Sequence, residues 1–234
     1  MEKIIEKALQ KYNIRIDNNK HKQLSCFIEE MKKYNEHTNI TAITDNHEII
    51  YKHILDCLLP LNKIKNNSKV LDIGCGAGFP SIPLAIANEN VKITAIDSVN
   101  KKIKFVNQII NQLKLKNITA QHTRIEEFLN KLEFREQFDI VVSRAVAPLN
   151  IVIEYSAPAL KNGGIIIAYK GSNYNEEIKI AENAMHILDC KVIEVEDYYI
   201  EEINAERHVV IIRKNSKIPA KYPRVQNKPR TQPL

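Results

Sequence analysis

Tryptophan is absent from the 234-residue sequence, and cysteine is scarce. The four cysteines, at positions 26, 57, 75 and 190, form no Cys-x-x-Cys pair and have no zinc-site spacing. Long apolar runs are also missing, since runs such as residues 165–169 are far too short to span a bilayer. Charges interrupt the apolar pattern at the N-terminus, so no signal peptide is expected. These absences predict a cytoplasmic protein with no metal site and no membrane contact.

Acidic residues are absent from the C-terminal end. From Arg213 onward the chain has seven lysines and arginines and no acid, whereas the first 212 residues carry 27 basic and 28 acidic side chains. Four of the nine prolines also fall in this tail, so we expect extended, irregular chain. The composition suits RNA phosphates, although a solvated terminus without a partner is the alternative. The predicted RNA contacts are Lys221, Arg224, Lys228 and Arg230.

Glycine is scarce too, yet three of the six glycines stand at alternate positions, Gly74, Gly76 and Gly78. The residues before them, Val-Leu-Asp-Ile at 70–73, are typical of a buried parallel strand, and a helical pattern begins at Ser81. Glycines in such a loop let the backbone turn sharply and approach a ligand. The loop between a strand and a helix is where α/β proteins hold nucleotide-like ligands. The glycines therefore predict a cofactor loop.

The spacing of the glycines selects the class of cofactor. A dinucleotide turn, Gly-x-Gly-x-x-Gly, needs a third glycine where Phe79 stands, and the Gly-Lys-Ser/Thr of a P-loop is absent. A second predicted strand ends at Asp97, nineteen residues after Gly78. An acid at that place accepts hydrogen bonds from both hydroxyls of a ribose. The loop and the acid together resemble the cofactor site of class I S-adenosylmethionine-dependent methyltransferases, rather than an ordinary turn with a surface acid.

Strand and helix patterns alternate after a helical N-terminal segment. Helical patterns near 2–12, 17–34 and 47–59 predict a helical cap whose third helix stops near Pro60. We expect strands near 69–73, 91–96, 117–121, 138–143, 164–170, 191–196 and 207–213, and helices near 81–88, 99–114, 124–131, 148–160 and 174–188. This alternation predicts an α/β, Rossmann-like, doubly wound sheet of seven mostly parallel strands, in which the last two strands form an antiparallel edge pair. The predicted division is a cap at 1–65, a cofactor-binding domain at 66–214 and a tail at 215–234.

The fourth predicted strand carries the signals for the methyl acceptor. It ends in Ser143-Arg144-Ala145 and has neither the Asn/Asp-Pro-Pro-Tyr/Phe of amino-group methyltransferases nor the Pro-Cys nucleophile of pyrimidine enzymes. Several motifs together resemble the ribosomal RNA small subunit methyltransferase G family, also called glucose-inhibited division protein B. They are Asn39-Ile-Thr41, His53-Ile-Leu-Asp56, Asp72-Ile-Gly-Cys-Gly-Ala-Gly-Phe-Pro-Ser-Ile-Pro83, Asp97-Ser98 with Lys101 and Phe105, Arg124-Ile-Glu126, Ser143-Arg144-Ala145, Lys170-Gly171 and Glu206-Arg207-His208.

The resemblance implies an activity, a cofactor and a partner. Members of this family methylate N7 of a guanine in the decoding-centre loop of 16S rRNA, so it implies S-adenosylmethionine as cofactor. The implied partner is 16S rRNA in the small ribosomal subunit or an assembly intermediate, with the enzyme acting as a monomer. The loop, the acid and the resemblance together predict a cofactor site made of Gly74, Gly76, Gly78, Phe79, Asp97, Ser98, Ile125, Glu126 and Arg144. Arg144 and Lys170 are also the candidates for orienting the guanine, and no general base is expected.

Simpler roles stay open for these residues. Arg144 at the end of its strand has Asp97 and Asp139 as candidate salt-bridge partners. The simpler interpretation of Lys170 is a solvated charge at the end of its strand. His53 and Asp56 share a helical face, which suits a hydrogen bond at the helix surface better than a metal. Two other classes of function also stay open: a methyltransferase for small molecules, and a non-catalytic RNA-binding protein on the same scaffold. If the tail is only an RNA arm, its removal should leave cofactor affinity nearly unchanged.

Overall fold

A seven-stranded sheet forms the centre of the protein, and the computed structural model describes all 234 residues around it. The strands run in the order β3-β2-β1-β4-β5-β7-β6. The first five are parallel to one another, and β7 pairs antiparallel with both β5 and β6. The strands are β1 (Lys69–Ile73), β2 (Lys92–Asp97), β3 (Ile118–His122), β4 (Phe138–Arg144), β5 (Leu160–Lys170), β6 (Cys190–Ile200) and β7 (Ala205–Lys214). The predicted fold class and the antiparallel edge pair are confirmed.

Helices cover both faces of the sheet. They are α1 (Glu2–Lys11), α2 (Asn18–Thr38), α3 (Asn46–Ile49), α4 (Asp56–Leu58), α5 (Ser81–Ala87), α6 (Asn100–Gln112), α7 (Ile125–Asn130), α8 (Leu149–Ser156), α9 (Tyr174–Ile180), α10 (Glu182–Ile187) and α11 (Lys228–Thr231). A π-helical segment, Ile50–Leu55, joins α3 to α4, and short 3₁₀ turns follow at Leu59–Lys63, Leu132–Phe134 and Glu201–Ile203. None of the helices has both the length and the apolar character that crossing a membrane requires.

The helical cap differs from its prediction mainly at the end of α2. Helix α2 was expected to end near Tyr34, but it continues to Thr38 because its polar side chains bond to nearby backbone. The Thr38 hydroxyl donates to Tyr34 O at 2.6 Å, and Asn35 Oδ1 accepts from the N–H groups of residues 40 and 41 at 2.8 and 2.9 Å. The α-helix does stop near Pro60 as predicted, at Leu58, but the chain continues beyond it as a 3₁₀ turn that is kinked at Pro60. Proline fits the first turn of a helix, where its missing N–H has no intrahelical acceptor.

The helix predicted over 148–160 ends at Ser156, and β5 begins earlier than expected. Pro158 lacks the N–H that would continue the helical hydrogen bonds. The Lys-Asn-Gly-Gly segment was predicted to be a turn, but it lies within β5 beside an irregular pairing with β4, and Gly163 has φ +79°. The helix predicted over 174–188 is divided into α9 and α10 at the buried Ala181. Both halves contact α8.

The core lies in two layers, one on each face of the sheet. The cap residues Leu24, Phe27 and Met31 are fully buried and pack in the same cluster as α5, α6 and one face of the sheet. The other face packs against α7, α8 and α10. Ile218 and Tyr222 of the tail join this second layer. The tail is therefore not wholly irregular as predicted, because it folds back onto the protein and includes α11. The three-part division of the chain remains a prediction.

Gly78 is the glycine of the loop that packing requires most directly. Its φ is +94°, and a Cβ at this position would lie 2.7 Å from Ile82 Cγ1 of α5. We expect Gly78→Ala to lower the free energy of unfolding by about 1–3 kcal/mol, because overpacking adds to an unfavourable φ. Urea denaturation monitored by circular dichroism measures the effect. Gly171→Ala is the control, since nothing lies within 4 Å of its added Cβ. Equal losses in the two variants would contradict this account of the loop.

Candidate active site

A cavity of about 340 Å³ lies across the carboxyl ends of the parallel strands. Its size is in the range of small-molecule sites, and its place is where open α/β sheets bind ligands. The connection after each of β1, β2, β3 and β4 contributes to its wall, as do α8 and the tail. The lining residues are Ile73, Gly74, Ile96, Asp97, Ser98, Lys102, Thr123, Arg124, Ile125, Glu126, Ala145, Val146, Tyr155, Asn227 and Arg230.

Asp97 ties the glycine loop to the end of β2. One carboxylate oxygen accepts from Gly76 N at 2.9 Å and the other accepts from Val99 N at 2.8 Å. The loop is held further because Ile96 O accepts from the N–H groups of Gly74 and Cys75 at 2.8 and 3.0 Å. A carboxylate oxygen has two lone pairs, so each oxygen of Asp97 retains acceptor capacity toward the cavity. The acid therefore shapes the loop and lines the pocket at the same time.

Gly74 brings the loop against the chain that follows β4. Its φ is +70°, and a Cβ here would lie 2.8 Å from Val146 Cγ2. Any side chain at this position would therefore fill space at the wall of the cavity. The absent side chain leaves the backbone exposed to a ligand, which fits a cofactor that lies against the loop.

Asp72 lies beneath the loop and is completely buried. Its Oδ2 accepts from Ser81 N at 3.1 Å, while Oδ1 has no hydrogen-bond partner. Burial raises the pKa of Asp72 to about 7, because the charged form is poorly solvated there. The hydrogen bond to the start of α5 opposes that shift without cancelling it. Asp72 therefore supports the loop from below and does not line the cavity.

A second cavity, of about 640 Å³, lies on the other side of the chain after β4. Ala145 and Val146 line both cavities, so this short segment is the wall between them. Ala145 has φ +55°, which turns the chain sharply after the strand. The other residues of the second cavity are Ile43, Lys52, His53, Asp56, Arg144, Ala147, Pro148, Tyr169, Lys170, Gly171, Glu177 and Arg207.

Arg144 is hydrogen-bonded to the helical cap, and its guanidinium also lies over the ring of Phe79 in the cofactor loop, 5.4 Å from the ring centre. Its guanidinium donates to Asp56 Oδ2 at 2.8 Å, to Lys52 O at 3.0 Å and to His53 Nδ1 at 2.7 Å. Since Arg144 donates to Nδ1, the imidazole is neutral and Nε2 carries its proton. Burial, together with the charge of Arg144, lowers the pKa of His53 to about 3. The His53 ring also stacks on Phe79, with ring centres 4.7 Å apart.

Lys170 and Glu177 form a partly buried ion pair at the wall of the second cavity. Lys170 Nζ lies 2.6 Å from Glu177 Oε2 and also donates to Ala147 O at 3.0 Å. The same Oε2 accepts from Leu149 N at 2.8 Å, so both bonds to this carboxylate fall on one oxygen. Glu177 Oε1 is thus left for a donor in the cavity. Arg207 comes from β7, where its Nε lies 3.5 Å from Asp56 Oδ1 and its Nη1 donates to Glu206 O at 2.8 Å, so its Nη2 donors are free.

The structure brings together some of the residues predicted to hold the cofactor and separates others. Gly74, Asp97, Ser98, Ile125 and Glu126 line the first cavity. Gly76, Gly78 and Phe79 belong to the same loop but do not line it, and Arg144 lies in the second cavity with Lys170. Among the predicted RNA contacts, Lys221 and Lys228 are exposed, whereas Arg224 and Arg230 bond within the protein. Each role in cofactor or RNA binding remains a prediction.

Several lining residues were not assigned a role from the sequence. Asp56, His53 and Arg207 belong to motifs quoted for the family resemblance, and that was the only signal for them. Arg144 does form a salt bridge, but its partner is Asp56 and neither of the acids considered. Tyr155 of α8 and Asn227 of the tail had no sequence signal of this kind, and Arg230 was predicted only as an RNA contact, because the fold of the tail brings Asn227 and Arg230 to the first cavity.

The sheet order, the glycine loop and the acid at the end of β2 define the class of protein as a class I methyltransferase. Residues 20–210 match the family described as GidB, rRNA small subunit methyltransferase G. The chain belongs to this family. Its members are S-adenosylmethionine-dependent enzymes, and the cavity beside Gly74 and the acceptors of Asp97 fit that cofactor.

Relatives of the same description cover nearly the whole chain. The ribosomal RNA small subunit methyltransferase G of Clostridium tetani is 40% identical over 94% of this chain and 93% of its own length. That of Lachnoclostridium phytofermentans is 43% identical over 94% and 92%. Solved structures share the fold at low identity. TYW2 of M. jannaschii in complex with AdoMet has a TM-score of 0.56 at 20% identity over 76% of this chain and 80% of that one. A putative O-methyltransferase from Klebsiella pneumoniae has a TM-score of 0.57 at 12% identity over 81% and 90%.

Replacing Asp97 tests the first cavity as the cofactor site. We expect Asp97→Ala to weaken S-adenosylmethionine binding about ten- to hundredfold, because it removes a charged acceptor and loosens the glycine loop. Isothermal titration calorimetry measures the affinity. The matched control is Asp139→Ala, which removes an acid bonded to Lys69 N on the same sheet but outside the cavity. Unchanged affinity in Asp97→Ala would contradict the assignment.

Proposed function

We propose that this chain transfers a methyl group from S-adenosylmethionine to N7 of a guanine in 16S rRNA, in the decoding-centre loop of the small ribosomal subunit. The observation that carries the proposal is the pair of adjoining cavities, which share only the wall formed by Ala145 and Val146. The first cavity would hold the cofactor, through Gly74, Asp97, Ser98, Ile125 and Glu126. When bound, the cofactor supplies an electrophilic methyl group on a sulfonium centre.

The second cavity has the charges that a guanine requires. Guanine presents acceptors at O6 and N7 and donors at N1 and N2. Arg207 has free donors in this cavity for O6, and Glu177 Oε1 is free to accept from N1 or N2. Adenine has a donor in place of O6, an acceptor at N1 and no amino group at C2, so the pair would favour guanine. The N7 edge would then face the wall between the cavities.

Arg144 and Lys170 would act by positioning other groups. Arg144 fixes the end of β4 against the helical cap, and three of its five donors are already used by Asp56, His53 and Lys52 O. Lys170 holds Glu177 in place, with its own ammonium group bonded on two sides. These two cations would therefore affect guanine binding through the residues that they hold in place, and not through the direct contacts to the base that the sequence analysis expected. Their removal would disturb the walls of the second cavity rather than delete a contact to the base.

No proton has to be removed for this reaction. Guanine N7 carries an exposed lone pair, so catalysis would depend on holding the base close and in line with the methyl group. His53 would not serve as a base, because its pKa is lowered to about 3 and Nδ1 already accepts from Arg144. The base must be unstacked to enter the cavity, which suits a guanine in a loop of folded RNA. The exposed Lys221 and Lys228 would contact phosphates, and the enzyme would act as a monomer.

The test is methylation of small ribosomal subunits or free 16S rRNA with labelled S-adenosylmethionine. We expect label in 7-methylguanine, and borohydride and aniline cleavage should map it to one guanine of the decoding-centre loop. Asp97→Ala is the negative control, for which we expect low methyl transfer. Label in a metabolite mixture but not in RNA would support a small-molecule methyltransferase instead. Failure to bind S-adenosylmethionine would support a non-catalytic RNA-binding protein.

The absence of a general base predicts the pH dependence of methyl transfer. Single-turnover rates at saturating cofactor should not rise between about pH 6.5 and 9, since N7 has no proton to lose. Reactions with labelled cofactor, quenched at timed intervals, measure the rate. Asp72→Asn is the control for the one group near the loop whose pKa is raised to about 7. A rise that persists in Asp72→Asn and disappears in Glu177→Gln would show that a proton is removed, which contradicts an N7 acceptor.

A further inference from the structure

Two tail residues lie in the wall of the first cavity. Asn227 and Arg230 both line it, and Arg230 Nη2 donates to Val146 O at 3.2 Å. That bond uses one donor of a guanidinium that has five. The group also lies beside the Tyr155 hydroxyl, and its other donors and its flat face are available to a ligand. The tail thus contributes a cation directly to the site proposed for the cofactor.

The segment from residue 218 to residue 234, called here the C-terminal strap, is anchored by a buried acid. Glu154 of α8 is fully buried, and its carboxylate accepts from Arg224 N, Nε and Nη2 at 2.9, 2.8 and 2.7 Å. A buried carboxylate is costly unless it is paired and hydrogen-bonded. Arg224 supplies that pairing only while the strap is docked. Because the Glu154 carboxylate has no other partner, its pairing with Arg224 favours the docked position of the strap.

Further bonds fix both ends of the strap. Arg135 donates to Tyr222 O at 2.8 Å, and Asn150 Nδ2 donates to Leu234 O at 3.2 Å. Tyr222 and Pro229 are buried. Arg230 follows Pro229 directly in α11, so its place in the cavity wall depends on these anchors.

The position of the strap relative to the other walls indicates which part of the cofactor it meets. If Asp97 binds the ribose and the glycine loop lies against the methionine part, the adenine is left for the wall of Ile125 and Glu126. Tyr155 joins that wall, since its hydroxyl donates to Glu126 Oε1 at 3.3 Å, and it lines the cavity together with the strap. A guanidinium stacks well on an aromatic base, and an asparagine amide pairs with the edge of adenine.

We propose that the C-terminal strap is part of the cofactor site, with Arg230 contacting the adenosine end of S-adenosylmethionine. The inference rests on the proposed function only in taking that cofactor as the ligand. It reverses the expectation that the tail serves RNA alone and leaves cofactor affinity unchanged. The exposed Lys221 and Lys228 remain free for phosphates, so the segment serves both ligands. The strap's two arginines bind within the protein, and its two lysines face outward.

The experiment measures binding of two ligands by calorimetry, without RNA. S-adenosylhomocysteine has both the adenosine and the amino-acid part, whereas 5′-methylthioadenosine has only the first. We expect Arg230→Ala in the full chain to weaken both by a similar factor, about tenfold, because a contact to adenosine is common to them. Arg230→Lys should recover part of the loss. Lys228→Ala is the matched control, as an exposed cation of the same helix that does not line the cavity.

Thermal unfolding without ligand shows that each variant is folded. Unchanged affinities in Arg230→Ala would overturn the inference, and a loss for S-adenosylhomocysteine alone would overturn the placement at the adenosine end. Neither result contradicts the proposed function, provided that the unaltered chain binds its cofactor and methylates 16S rRNA. Failure of the unaltered chain to bind either ligand would overturn both the inference and the proposed function.

Discussion

The ion pair between Arg144 and Asp56 holds the helical cap to the end of the central strand. Its two residues are 88 positions apart, and the 2.8 Å contact joins the buried Asp56 at the start of α4 to the end of β4. Breaking a buried pair by removing one partner is strongly destabilising, because a charge is left without compensation. His53 and Lys52 O complete the environment of the guanidinium. The direction in which the chain leaves β4 follows from this contact, and the shape of both cavities depends on that direction.

The wall between the cavities is therefore a rigid element and not a free loop. Gly74 approaches Val146 so closely from the cofactor side that no side chain fits, while Arg144 holds the other side. Asp97 adds a second constraint, since its two backbone bonds fix the glycine loop before any ligand binds. A methyl transfer to an unprotonated nitrogen gains most of its rate from alignment. A fixed wall between two sites supplies alignment without requiring any group to change its protonation.

The tail shows why a count of charges is a poor guide to what the charges do. Its composition, seven cations and no acid, is that of a phosphate-binding arm. The fold uses Arg224 to neutralise the buried Glu154 and places Arg230 beside Val146. Lys214, at the start of the segment, is buried against Glu136 at 3.0 Å. Glu136 and Glu154, which lie far from the tail in the sequence, thus pair with cations that have no acid near them in the chain.

The sequence by itself determined the elements and the chemistry class. Apolar periodicity marked all seven strands, and the spacing of the glycines and Asp97 indicated the cofactor loop, since these signals depend on neighbours in the chain. Local errors arose where a side chain bonds to nearby backbone, as Asn35 and Thr38 do. Only the tertiary structure decided that Asp56 pairs with Arg144, that Glu154 pairs with Arg224 and that Arg230 reaches the first cavity. Such partners are chosen by proximity and burial in the folded chain, and periodicity carries no information about contacts between residues 70 or 88 positions apart.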